Sequence, residues 1–213
     1  MPTFKPLHSL LHLLRQQLSC QLCGIDQIYK HEVCQTCWQT FTWQKDIIIR
    51  QEQSIHVACA YTYPIDSIIQ KFKYEQQLHY QNLLAGLLQE IRLPKVQAIV
   101  PMPISNTRLI ERGYNQSLLI AENLSQKMRV PIWQPVERLA QHSQKGLSRL
   151  ERLSSIDQQF KIKSAIKHKF KKVLIIDDVV TTGSSIHALR VQLEKLGCTE
   201  IHAACIAAGL GSN

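Results

Sequence analysis

The stretch that decides the fold is Val173–Ile186, which reads Val-Leu-Ile-Ile-Asp-Asp-Val-Val-Thr-Thr-Gly-Ser-Ser-Ile. Its first four residues form a short aliphatic run of the kind found in buried parallel strands. Two carboxylates, Asp177 and Asp178, follow this run. The small turn after them opens onto a predicted helix. The apolar face of that helix is formed by Ile186, Leu189, Leu193 and Leu196. The pattern therefore predicts a strand, an acidic pair, a turn and a helix, in that order.

This order of elements is suited to a phosphorylated ligand. Ligands of open α/β sheets bind at the carboxyl ends of strands, and a helix N-terminus offers free N–H groups to an anion. The hydroxyl groups of the turn add donors, and Gly183 lets the backbone approach a phosphate closely. The carboxylates would repel phosphate, so ribose hydroxyls or a magnesium ion are their expected ligands. We therefore predict a ribose 5-phosphate site; the alternative is an ordinary strand–turn–helix unit with a solvent-facing acidic pair.

Composition indicates an ordinary globular protein with a basic surface. The 213 residues suffice for one domain and a small appendage, and 45% of them are hydrophobic. The formal net charge of +9 favours polyanionic partners, either a multiply phosphorylated ligand or a nucleic acid. No apolar run approaches the roughly 18 residues of a membrane span. The leucine stripe between Leu7 and Leu18 is interrupted by polar residues and predicts an amphipathic helix, not a signal peptide.

Four of the seven cysteines form the pattern C-x2-C-x10-C-x2-C, which predicts a tetrahedral metal site. Four thiolates favour zinc or an iron–sulfur cluster. Because such a site has no open coordination position, we expect it to fold a segment too short for a core of its own. The remaining, scattered cysteines are typical of buried free thiols and predict a reducing, cytoplasmic location. The predicted metal ligands are Cys20, Cys23, Cys34 and Cys37.

A composition change over residues 44–55 predicts a domain boundary near residue 50. Residues 1–50 would then contain the amphipathic helix and the cysteine segment, and residues 51–213 the larger domain. In the larger domain, strand and helix patterns alternate, which predicts a parallel α/β sheet flanked by helices.

Two basic segments are candidates for binding a diphosphate. Arg108 and Arg112 lie in a glycine-containing turn before a predicted helix, and guanidinium groups bind such anions well. The alternative is the solvated start of a helix. Residues 138–160 have little apolar periodicity and resemble an active-site lid, although a disordered linker is the alternative. The lid residues expected to close over a pyrophosphate are Lys145, Arg149 and Arg152.

Residues 173–186 resemble the signature of the type I phosphoribosyltransferases, which bind phosphoribosyl pyrophosphate (PRPP) with Mg²⁺. The resemblance implies that the acidic pair holds the ribose 2′- and 3′-hydroxyls and that the following turn holds the 5′-phosphate. The implied PRPP-binding residues are Asp177, Asp178, Val179, Val180, Thr181, Thr182, Gly183 and Ser184.

Nearly the whole chain resembles the ComF family of competence proteins. The matching segments are the cysteine pairs with Trp38, Tyr63 to Tyr74 with its Lys-Phe-Lys-Tyr, Val100-Pro-Met-Pro103, Arg112-Gly-Tyr-Asn-Gln116, Gln144-Lys-Gly-Leu-Ser148 with Glu151-Arg152, and Asp177-Asp178 with Thr182-Gly183. One departure is Ser155, where the family usually has Asn. The resemblance implies a type I phosphoribosyltransferase fold with an N-terminal zinc segment. It also implies a cytoplasmic role in natural transformation, with imported single-stranded DNA and other competence proteins as partners.

Three functions remain open at this point. The first is a phosphoribosyltransferase with an unidentified acceptor. The second is a binding module that senses PRPP or a nucleotide without chemistry. The third is a DNA-binding competence factor that keeps the fold as a scaffold.

Overall fold

The computed structural model describes residues 19–139, 159–166 and 169–209. The chain divides into two compact units, Met1–Thr42 and Trp43–Asn213. The amphipathic helix predicted near the N-terminus lies outside the described residues. So do the three basic lid residues, which are Lys145, Arg149 and Arg152.

In the smaller unit, the described residues form a short looped segment and one helix. Helix α1 (Gln35–Gln39) begins after Cys34, whose Sγ accepts a hydrogen bond from the Cys37 N–H. The Trp38 ring lies edge-on to the Phe41 ring, with 5.5 Å between the centroids. These contacts place the second cysteine pair at the start of a helix.

The larger unit is built on a mixed sheet and a separate strand pair. Its strands are β1 (Trp43–Arg50), β2 (Gln53–Ala60), β3 (Ala98–Pro101), β4 (Val136–Arg138), β5 (Phe160–Ile162), β6 (Lys172–Val180) and β7 (Glu200–Ala208). Five of them form one sheet in the order β1-β2-β7-β6-β3, and β4 pairs with β5. Strands β2, β7, β6 and β3 are parallel, whereas β1 lies antiparallel at one edge. The parallel sheet expected from the sequence is therefore present, with one antiparallel strand added.

Helices cover this sheet. They are α2 (Ile65–Tyr74), α3 (Gln81–Gln89), α4 (Asn106–Arg112), α5 (Gln116–Met128) and α6 (Ser184–Lys195). Val173 and Ile175 of β6 share a buried cluster with Leu189 of α6. Leu174 points to the opposite face of the strand and is also fully buried. Helices α3 and α5 pack on each other and on the sheet through β7, β3 and β6. The central strand is therefore covered on both faces, as in an α/β fold.

Strand β6 is longer than its aliphatic run predicts. It continues through the acidic pair because Val179 and Val180 pair with Ala207 and Ala208 of β7. The two carboxylates therefore lie inside the last part of the strand, on a rigid element.

The segment around residues 44–55 holds a hairpin. Strand β1 pairs with β2, so the boundary between the two units falls after Thr42. Ile48 packs on the core, whereas Ile47 and Ile49 are exposed. Within the described ranges, no helix has the length and apolar character needed to cross a membrane.

Candidate functional site

Two adjacent carboxylates at the end of β6 form the centre of the candidate site. Asp178 is 3% exposed, and Asp177 is partly exposed. Successive residues of a strand point to opposite faces, so the two side chains meet different surroundings. Asp177 lines a cavity of about 60 Å³ together with the turn that follows β6. Asp178 is enclosed by the protein.

Each carboxylate has a partner from a different helix. Lys73 of α2 places its Nζ 2.8 Å from Oδ2 of Asp178, and both side chains are largely buried. Ser117 of α5 donates its hydroxyl to Oδ1 of Asp177 at 3.1 Å. A buried ion pair adds little net stability, but removing one partner would leave a costly buried charge. The acidic pair thus joins β6 to two helices.

The neighbouring carboxylate of Asp178 affects the pKa of Asp177. Burial and the neighbouring Asp178 raise the pKa of Asp177 to about 7. Lys73 and the hydrogen bonds from Ser117 and the Asp178 N–H act in the opposite direction. Near neutral pH the ligand-free site therefore exchanges a proton at Asp177, and a cation or a hydroxyl donor would favour its charged form.

The turn between β6 and α6 is built to receive an anion. Gly183 is the N-cap residue of α6 with φ +79° and has no side chain to cap the helix. The Ser184 N–H donates to Oγ1 of Thr182 at 3.4 Å, and the residues of the first turn line the cavity, where their N–H groups can meet an anion. The hydroxyls of Thr182 and Ser184 lie 2.9 Å apart at its rim. This arrangement provides several donors within a space the size of one phosphate.

Arg50 of β1 supports the same turn. Its Nε donates to the Thr181 carbonyl at 3.2 Å, and its Nη1 donates to the Ile49 carbonyl. A Cβ atom added to Gly183 would lie 2.8 Å from the Arg50 Cβ. Glycine is therefore needed at position 183 both for its left-handed backbone and for the close approach of Arg50.

The junction of α4 and α5 positions Ser117. Gly113 ends α4 in the left-handed conformation, with φ +81°. The Asn115 side chain then caps α5, because its Oδ1 accepts hydrogen bonds from the N–H groups of Ser117 and Leu118. Its Nδ2 donates to the Met102 carbonyl just after β3. One asparagine thus fixes the start of α5 against the sheet and beside Asp177.

Arg112 lies buried next to this junction. It is 9% exposed, its guanidinium lies 4.8 Å from the centre of the Tyr74 ring, and its Nη2 donates to the Tyr74 hydroxyl. The hydroxyl of Tyr114 donates to the Phe72 carbonyl and holds the junction against α2. Nη1 of Arg112 is buried and has no hydrogen-bond partner among the described residues. A buried guanidinium with a free donor is suited to an anionic ligand.

Arg108 lies in a different cavity. Together with Arg138 of β4, it lines a space of about 210 Å³. Burial and the neighbouring Arg108 lower the pKa of Arg138, while the negative charge of Asp177 acts in the opposite direction. Glu111 lines the same cavity. The two guanidinium groups repel each other, and a bound anion would relieve that repulsion. This cavity is therefore a second anion-binding candidate close to the acidic pair.

The structure places the predicted site residues in three groups. Asp177, Val179, Val180 and Thr181 to Ser184 share the small cavity, and Asp178 lies behind it. The sequence analysis placed Arg108 and Arg112 in one basic segment. In the structure, Arg108 lies in the first turn of α4 and Arg112 is its last residue, and their surroundings differ. Sequence reasoning missed four residues that contact or face this site, because the fold brings them there from distant segments. They are Arg50, Lys73, Ser117 and Arg138.

The four clustered cysteines of the smaller unit can hold a metal ion. All four Sγ atoms lie within 4.8 Å of one another. The Sγ atoms of Cys23 and Cys34 are 3.8 Å apart, which matches the separation of about 3.8 Å for sulfurs around a tetrahedral zinc ion with 2.3 Å bonds. The space suits one ion and is too small for the several irons and sulfides of a cluster. The thiol chemistry and the geometry therefore fit a single tetrahedral ion such as Zn²⁺.

Without a bound cation, the pKa values of Cys20 and Cys37 are shifted in opposite directions. Burial opposes ionisation of Cys20, but hydrogen bonds from the backbone of Cys23, Cys34 and Leu22 lower its pKa to about 6. Burial and the other three thiols raise the pKa of Cys37. A bound divalent ion reverses this repulsion, because it stabilises all four thiolates.

Residues 115–212 match the family described as "Phosphoribosyl transferase domain". The chain is 31% identical to Competence protein F of Haemophilus influenzae, over 85% of this chain and 81% of that protein. It is also 31% identical to Competence protein ComFC of Bacillus subtilis, over 83% and 72%. DNA utilization protein YhgH of Escherichia coli is 25% identical, over 88% and 82%.

The first prediction concerns Gly183. The change Gly183→Ala is expected to cost about 1–3 kcal/mol more than Gly197→Ala in unfolding free energy. Both glycines have positive φ, so in both variants an alanine in the left-handed conformation costs about 1–2 kcal/mol. Only Gly183 adds a clash with Arg50, since a Cβ at Gly197 meets nothing within 4 Å. Urea denaturation measures both values, and equal losses would show that the contact with Arg50 has no weight.

The second prediction concerns the pH dependence of stability. The pKa of Asp177 is raised to about 7, so the folded state binds a proton that the unfolded state releases near pH 4. This contribution is complete below pH 4 and is lost as the pH rises through 7. The change Asp177→Asn should therefore flatten the stability profile between pH 5 and 8 and stabilise the protein at pH 8. Urea midpoints at both pH values test this; an unchanged slope would contradict it.

The third prediction concerns the cysteine cluster. The change Cys34→Ser should lower the metal content below one ion per chain and unfold residues 19–42, because the site is closed and structural. The larger unit should keep its fold. Metal analysis and backbone NMR measure both effects. Cys198→Ser is the control, since this buried thiol lies outside the cluster. Retention of metal and of the signals from residues 19–42 in Cys34→Ser would contradict the assignment.

Proposed function

We propose that this chain, which belongs to the competence protein F (ComFC) family, is a cytoplasmic competence protein whose larger unit binds PRPP with Mg²⁺. The observation that carries the proposal is the acidic pair at the end of β6, directly followed by an uncapped helix N-terminus. A ribose 5-phosphate requires these two features side by side, since it joins hydroxyl groups to a phosphate.

The 5′-phosphate would occupy the cavity of about 60 Å³ at the turn. The first-turn N–H groups of α6 and the hydroxyls of Thr181, Thr182 and Ser184 would donate to it. Gly183 allows this approach because it has no side chain. Arg50 would keep the turn in place through the Thr181 carbonyl rather than by touching the ligand.

The ribose hydroxyls would donate to Asp177, while Lys73 holds Asp178 in place behind the cavity. Asp177 faces the same cavity as the turn, so one ligand can span both groups. Lys73 contacts Asp178 and fixes the position of one of its oxygens. Hydroxyl donors from the ribose would favour the charged form of Asp177, as the hydrogen bond from Ser117 already does.

The pyrophosphate would be held by two arginines of α4 and by Arg138 of β4. Arg108 and Arg138 face one cavity, and Arg112 has a buried free donor. The proposal also assigns Lys145, Arg149 and Arg152 to this group, as residues of the segment between β4 and β5. Magnesium, when bound, would neutralise pyrophosphate charge and assist its departure.

The metal of the smaller unit is proposed to be zinc with a structural role. The four cysteine ligands would leave no open position for a substrate. The competence role would bring the protein together with imported single-stranded DNA and with other competence proteins. The names of the relatives and the net charge of +9 support that part of the proposal.

A competition experiment tests the ribose assignment. In the unaltered protein, ribose 5-phosphate should displace PRPP better than 2-deoxyribose 5-phosphate by about tenfold, because one hydroxyl-to-carboxylate hydrogen bond contributes about 1.5 kcal/mol. The double variant Asp177→Asn with Asp178→Asn should bind PRPP more weakly and lose this preference.

Asp46→Asn is the matched control, because Asp46 is an exposed carboxylate on β1 that also accepts a backbone N–H. It should keep both the affinity and the preference. If the double variant still distinguishes the two sugars, the acidic pair does not bind the ribose. A general structural defect would weaken the binding of both sugars by the same factor and leave the preference unchanged. It is thereby distinguished from the loss of a contact with the ribose.

A further inference from the structure

One edge of the five-stranded sheet can receive a further strand. Strand β1 lies at the end of the strand order, so among the described strands only β2 pairs with it. On the face of β1 that turns away from the core, Ile47 is 50% exposed and Ile49 is 69% exposed. An edge strand with exposed apolar side chains is a template for pairing with another chain. Strand β1 is therefore a candidate surface for association.

The hairpin geometry identifies the backbone groups of β1 that point outward. The two residues that connect β1 to β2 both have positive φ, as in a two-residue hairpin turn. Such a turn is closed by backbone hydrogen bonds between Arg50 and Gln53, and hydrogen-bonded pairs alternate along antiparallel strands. The N–H and carbonyl groups of Ile47 and Ile49 therefore point away from β2.

Two charged side chains of β1 cover this edge. Oδ1 of Asp46 accepts a hydrogen bond from the Ile47 N–H at 2.7 Å. Nη1 of Arg50 donates to the Ile49 carbonyl at 3.0 Å. Charged side chains at a sheet edge keep unsuitable strands away. A partner strand can replace both contacts by backbone hydrogen bonds only if it also provides new partners for the carboxylate and the guanidinium.

A second copy of this chain meets that requirement. When two β1 strands pair antiparallel with Ile48 of each copy on the two-fold axis, Asp46 lies opposite Arg50 of the partner subunit. Ile47 then lies opposite Ile49 of the partner subunit, and these apolar side chains cover each other on the other face. Each pair occurs twice, as a two-fold interface requires. A register shift of two residues in either direction separates the opposite charges.

We infer that β1 joins two copies of this chain into a symmetric dimer by antiparallel strand pairing. The backbone groups of Ile47 and Ile49 then bond across the axis instead of to Asp46 and Nη1 of Arg50. Nε of Arg50 keeps its contact with the Thr181 carbonyl. The dimer therefore does not depend on PRPP binding. Because the paired segment is short, the dimer is reversible and its population rises with protein concentration.

Sedimentation equilibrium of the full chain measures this association. The average mass should rise from 24.5 kDa towards twice that value as the concentration increases. Ile49→Lys should weaken the dimer by about tenfold or more, because the charge is placed twice against an apolar partner. Ile110→Lys is the matched control, since Ile110 is an exposed isoleucine of α4 and its replacement adds the same charge. A single-chain mass at all concentrations, or equal effects of the two variants, would overturn the inference.

An exchange of charges tests the register. Asp46→Lys places two positive groups opposite each other, and Arg50→Glu places two negative groups opposite each other. Each variant alone should therefore dimerise about tenfold more weakly than the unaltered chain. An equimolar mixture of the two variants restores both pairs of opposite charges and should form a heterodimer. Misfolding cannot produce this rescue. A mixture that associates no better than the separate variants would overturn the inference.

Discussion

The carboxylate pair at the end of β6 is the constraint on which the rest of the site depends. Two adjacent acids are costly in a buried strand unless each has a partner. Lys73 supplies a cation to Asp178, and Ser117 supplies a hydroxyl to Asp177. These partners come from α2 and α5. Both helices therefore contact the carboxylates at the end of β6.

The remaining contacts of the site follow from this requirement. Ser117 reaches Asp177 because Asn115 caps α5 and hydrogen bonds to the carbonyl after β3. Lys73 reaches Asp178 while the next residue, Tyr74, lies against the buried Arg112. The same contacts that satisfy the acidic pair therefore place a buried guanidinium near it. An anion with hydroxyl groups finds both kinds of partner within a small volume, which is the physical basis of the PRPP proposal.

The sequence predicted the elements whose signals are local. The aliphatic run of β6, the turn and the apolar stripe of α6 lie within one segment, and the structure has all three. Strand β1 escaped notice because it is an edge strand whose Ile47 and Ile49 are exposed, so burial gives it no clear alternation. Lys73 and Arg138 carry no local sign of their role, since only the tertiary fold brings α2 and β4 to the acidic pair.

The family assignment and the geometry support one account, in which an acidic pair and an uncapped helix bind a phosphorylated ribose. The most direct test of this account is a calorimetric titration of PRPP into the full chain, with and without magnesium. The account predicts saturable binding of one PRPP per chain that strengthens when magnesium is present. Absence of binding under both conditions would contradict it and would leave the acidic pair as a structural feature of the fold.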